Sequence, residues 1–146
     1  MSKSNSFENE LLLLLFNNTN IANLGDATGV RGSSTAGSLY LSLHTADPGE
    51  AGTQTTSEIS YTGYARKAVA RSGAGFTVTG NTVVLAADND FPEMTGGTGG
   101  TVTHFGIGSA SSGAGDLLYS GTVSPNIAVA TGVTPRLKAA TSVTED

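Results

Sequence analysis

The apolar positions of this chain fall into two regimes. Between Asn5 and Asn17 they crowd together as NSFENELLLLLFN, and from Leu39 onward they alternate with small and polar residues. The first stretch predicts a helix, with Asn5 as its cap, Glu8 and Glu10 near its positive end, and Asn17-Asn18 as its stop. At 3.6 residues per turn Phe7, Leu11, Leu14 and Leu15 make one stripe, which leaves Leu12, Leu13 and Phe16 pointing elsewhere. A helix apolar on nearly all sides is covered on nearly all sides, so the second side is expected to meet another chain.

Residues 18–38 are polar and rich in glycine and read as a long loop, an arm or tether. Beyond them the period is two. Leu39, Leu41 and Leu43 share one face of a strand that ends in His44, and Asp47-Pro48-Gly49 turns the chain. A further extended stretch lies between Tyr61 and Arg71, and Phe76–Thr79 and Thr82–Leu85 form a hairpin across Gly80-Asn81. Asp88-Asn89-Asp90 reads as a break. In the next strand Val102, His104 and Gly106 lie opposite Thr103, Phe105 and Ile107, and three more strands follow at 117–123, 126–130 and 134–144. About eight short strands with turn signals between them predict an all-β, jelly-roll-like β-sandwich with a short N-terminal helix. The expected organisation is 1–38 for helix and arm and 39–146 for the β-sandwich.

Composition narrows the function. Gly, Ser and Thr supply 56 of the 146 residues, charged residues only 13%, and there is no cysteine. Disulfides and thiolate metal sites are therefore excluded, and low charge suits a surface that neighbours cover. The net charge is −5, with seven scattered basic residues, which gives no footprint for nucleic acid. The longest apolar run, Leu11 to Phe16, falls short of the ~20 residues of a membrane span. Glu8 and Glu10 precede it where a signal peptide would be basic, so a chain that works or is assembled in the cytoplasm, without membrane partners, is expected.

Constellations that carry chemistry are thin. His44 and His104 both sit in strand patterns, and with Asp47 they suggest a metal or acid–base site less strongly than local hydrogen bonding. Asp88 and Asp90 offer oxygen ligands to a hard cation, but the Gly and terminal Glu of a calcium loop are missing. Gly106-Ile107-Gly108 lacks the third glycine and the helix of a dinucleotide fingerprint, and Gly96–Gly100 lacks the Lys-Ser/Thr of a phosphate loop. Neither an enzyme nor a cofactor is expected. Tyr61, Tyr64 and Arg66 are of the types that anchor interfaces. With Leu11, Leu12, Leu13, Leu15 and Phe16 they are the expected contact residues.

The run from Leu39 through His44-Thr45-Ala46-Asp47-Pro48-Gly49 resembles a family of small structural proteins of tailed bacteriophages and prophages. The likeness continues through Gly52, Glu58, Tyr61, Gly63-Tyr64-Ala65-Arg66, Thr103–Ile107 and Leu117–Gly121, and covers nearly the whole chain. Members are often labelled tail fibre proteins, and others are head decoration, or cement, proteins. The resemblance implies a virion structural role. A decoration protein would sit on the capsid surface as a homo-oligomer, dimer or trimer, with the major capsid protein as partner. The alternatives are a tail fibre or baseplate accessory that meets a host receptor, and a carbohydrate-binding sandwich with calcium at Asp88 and Asp90.

Overall fold

A computed structural model describes residues 2–145. The element order is α1 (Asn5–Asn17), β1 (Ser38–His44), β2 (Lys67–Ala70), β3 (Phe76–Thr79), β4 (Thr82–Leu85), β5 (Asn89–Asp90), β6 (Gly100–Gly108), β7 (Leu117–Val129), β8 (Arg136–Leu137) and β9 (Ser142–Thr144). The class is the one expected: an all-β fold of antiparallel sheets with one short N-terminal helix. Among the described residues no helix is long and apolar enough to cross a membrane. The chain forms two compact units, one of the residues up to Ser38, Val69–Asp88 and those from Lys138 on, the other of Leu39–Ala68 and Asn89–Leu137.

In the first unit the helix is capped by Ser4, one residue before the expected Asn5, whose side chain accepts a bond from the Phe7 N–H. Asn18 ends it in the left-handed conformation, with φ 56°. The inward stripe is Glu8, Leu12 and Phe16, four residues apart, with Leu12 and Phe16 fully buried. This reverses the expected orientation: Phe7 is exposed, and Leu11, Leu13, Leu14 and Leu15 are half-buried. The reason is tertiary. Phe16 meets the ring of Phe76 on β3 edge to face at 5.0 Å, and the Asn9 amide donates to the Gly80 carbonyl in the β3–β4 turn at 2.8 Å. These two anchors fix the rotation of a helix that is apolar on most sides and has little preference of its own.

The helix has no basic residue in its last turn. Arg71 takes that role from a distance, donating to the open carbonyls of Leu14 at 2.7 Å and Leu15 at 2.6 Å. The expected arm, residues 18–38, folds back on itself. Ile21 pairs with Val30, and the Asn18 side chain bonds both the N–H and the carbonyl of Ser33. The β3–β4 hairpin forms across Gly80-Asn81 as expected, with Gly80 at φ 60°, and β9 adds to β4 as a third strand.

The second unit holds β1, β6 and β7 of the sheet of order β2-β1-β6-β7, and the separate pair β5-β8. Register divides β1 and β6 into two faces. Leu41 opposes Ile107 and Leu43 opposes Phe105 on the apolar face, while Ser42 opposes Gly106 and His44 opposes His104 on the polar one. Three expected elements differ. The strands at 117–123 and 126–130 are one strand, β7, interrupted by a bulge around Pro125, which has no N–H to give the ladder. The stretch 134–144 is split between β8 and β9 in separate sheets, and the break at 88–90 contains β5.

Candidate functional site

The polar face of β1 carries the densest side-chain chemistry of the second unit. Ser42 and His44 point the same way because they are two apart on a strand, and both are wholly buried. The Ser42 Oγ lies 2.8 Å from His44 Nε2, and His44 Nδ1 lies 2.8 Å from the Thr56 carbonyl. Burial pushes the imidazole pKa down, so the ring is neutral. A carbonyl only accepts, so Nδ1 holds the proton and Nε2 accepts from the serine hydroxyl. That is the layout of a nucleophile and base oriented by a third group, but neither residue is open to a substrate. A Cβ placed on Gly106 would lie 2.6 Å from Ser42 Oγ and 2.7 Å from His44 Nε2, so the pair rests directly on the backbone of β6. Gly108 does the same for Gln54, whose amide carbon would sit 2.1 Å from an added Cβ.

Gln54 is fully buried and accepts from the Ala110 N–H at 2.9 Å, which ties the loop after β1 to the loop after β6. Arg66 crosses the same space. It donates to both carboxylate oxygens of Glu58, at 2.7 and 2.8 Å, and to the carbonyls of Ala110 and Gly113, at 2.9 and 2.8 Å. The bonds to Glu58 raise the already high pKa of the guanidinium, against the opposing pull of burial. The Tyr64 hydroxyl donates to Glu58 at 2.9 Å and accepts from the Leu43 N–H at 3.1 Å, and burial lifts its pKa above the ordinary tyrosine range. Tyr64 stacks on Phe91 at 6.3 Å and meets Tyr61 edge to face at 5.2 Å, and Tyr61 donates to the Pro92 carbonyl at 2.8 Å.

Tyr61, Tyr64 and Arg66, expected as contact residues, are therefore brought together but turned inward: Tyr61 and Arg66 are buried and Tyr64 is half-buried. Leu12 and Phe16 are likewise core residues, and of the expected contact residues in the leucine segment Leu11, Leu13 and Leu15 keep partial exposure, as does Leu14. The glutamate, the serine and the glutamine that complete the cluster were not singled out by sequence reasoning. The available signal was Gly106-x-Gly108 on a strand, where a missing side chain means that something else fills the space. His104 bonds locally, to Thr103 at 2.9 Å. Asp90 is held by Arg136 and Asp88 by Lys138, and among the described residues no three His, Asp or Glu side chains are grouped to hold a metal.

The outer features of this unit are a cleft and an edge. The cleft, of about 450 Å³, lies between Asp47, Gly49 and Glu50 on one side and Leu117, Leu118, Tyr119 and Ser120 on the other. The edge is β7, the last strand of its sheet, thirteen residues without a charge. Residues 2–144 match the model of a family described as podophage GP4 fiber I protein gp80. No curated protein matches the chain.

Proposed function

We propose, given that the chain belongs to the podophage GP4 fiber I protein gp80 family, that it is a non-catalytic structural part of a phage tail fibre. Membership makes it a phage structural protein, and the fibre in the family's name favours the tail over the head shell. The observation that carries the reading is where its reactive groups lie. Ser42 and His44 have no exposed surface, and Arg66 is spent on four bonds inside its own fold. What remains outside is packing surface: an uncharged strand edge and half-exposed leucines on α1. In this reading neither a cofactor nor nucleic acid takes part, and the chain works by holding neighbours in place.

Location and copy number test it. Purified virions, quantified by mass spectrometry and labelled with antibody for electron microscopy, are expected to carry at most tens of copies, confined to the tail. Hundreds of copies spread over the head, with the major capsid protein as partner, would replace this reading by head decoration.

A further inference from the structure

We propose that the first half of β7, Leu117 to Ser124, is a self-pairing edge that joins two copies of this chain as antiparallel strands of one continuous sheet. Unpaired edge strands are templates for another strand, and folds that stay single blunt them with charges, prolines or bulges. On β7 a smaller irregularity falls at the start, between Leu117 and Tyr119, while the larger one and Pro125 lie past Thr122. The stretch before them carries neither charge nor proline, although charged residues are 13% of the chain.

Charge selects the occupant and its direction. In a self-paired edge every residue faces the same strand, so any charge near the centre meets its like, and β7 has none. Of the exposed carboxylates near the strand, Asp116 directly precedes Leu117, and Asp47 and Glu50 line one cleft with Leu117–Ser120, so all three lie toward its first half. Parallel pairing would bring the two acidic ends together. Antiparallel pairing sets them apart.

A two-fold axis perpendicular to the sheet keeps each face on its own side and therefore pairs residues of the same parity. Centred on Ser120, it sets Leu118 against Thr122 of the second copy and Leu117 against Val123. The two Leu117 positions, with Asp116 beyond each, then sit about 20 Å apart at ~3.4 Å per residue, well beyond the ~8 Å Debye length at physiological salt. Leu118, 38% exposed, gains cover from Thr122 across the seam.

The pairing names the partner within the assembly reading above, and rests on that reading only for where the pair is used. The two are tested apart: solution state reports on the edge, virion location on the fibre. The full chain is expected to sediment as a dimer at tens of micromolar. Ser120→Lys and Thr122→Lys, both at exposed positions, are expected to raise the dissociation constant at least tenfold with unchanged circular dichroism. Mixing Ser120→Lys with Ser120→Glu is expected to restore dimers. Because the native chain has no cysteine, Ser120→Cys, which faces its own copy across the two-fold, is expected to give a disulfide-linked dimer on oxidation, and Thr122→Cys, whose two copies lie four residues apart along the seam, is not. A wild-type chain that is monomeric at 100 μM, or a dimer that is indifferent to both lysine variants and does not cross-link through Ser120→Cys, overturns the proposal.

Discussion

Replacing Arg66 by methionine separates the two roles that its cluster has been given. The side chain is 2% exposed and its partner Glu58 14%. Arg66→Met keeps most of the apolar stem but removes both bonds to Glu58 and the donors to the Ala110 and Gly113 carbonyls. Breaking one side of a buried ion pair costs about 3–5 kcal/mol, because the surviving charge is left in a poor solvent. Here the lower half of that range applies: Tyr64 still donates to Glu58, and the loop carrying Gly113 is exposed and can turn its carbonyls to water. A loss of about 3–4 kcal/mol lowers Tm by about 6–16 °C at ~2–4 °C per kcal/mol for a chain of this size. The double variant Arg66→Met/Glu58→Gln no longer strands a charge and keeps an acceptor for Tyr64, so its cost is expected to fall at least 1 kcal/mol short of the sum of the singles. Urea and thermal denaturation of the full chain, followed by far-ultraviolet circular dichroism, measure both. If Arg66→Met melts within about 2 °C of the wild type yet is lost from virions, the cluster is a contact surface and the structural reasoning fails.

Two further outcomes follow from the same geometry. Burial depresses the His44 pKa below its ordinary 6.5. Below pH 6.5 the unfolded chain therefore takes up a proton that the folded one refuses. Stability is full above pH 6.5 and falls as the pH drops toward 5, by up to about 1.4 kcal/mol per unit for one proton. His44→Gln is expected to flatten that slope, and urea midpoints that do not move between pH 7 and 5.5 in the wild type would refute it. On the helix, Leu12→Ala is expected to cost about 2–5 kcal/mol because Leu12 is fully buried, whereas Leu11→Ala on the half-exposed side is expected to cost clearly less. Equal urea midpoints for the two variants would show that the helix is rotated differently.

Local chemistry determined much of this protein without help from the fold. The period-two pattern of Leu39, Leu41 and Leu43, the Gly80-Asn81 hairpin turn and the helix from Asn5 to Asn17 are all written in neighbouring residues, because strand alternation, turn conformation and helix capping are short-range effects. What lay beyond reach depended on which distant surface each element met. The leucine segment is apolar on so many sides that its spacing cannot set its rotation; Phe76 and Gly80 on the β3–β4 hairpin do. Tyr61, Tyr64 and Arg66 have the composition of an interface, and only the arrival of Glu58, Phe91 and the loop at Ala110–Gly113 makes them a core. Ser42 and His44 became a sealed pair because β6 presents Gly106 opposite them, a register that no window of β1 contains. Type and periodicity fix what a side chain is able to do, whereas burial, and with it partner and pKa, belongs to contacts between residues far apart in the chain.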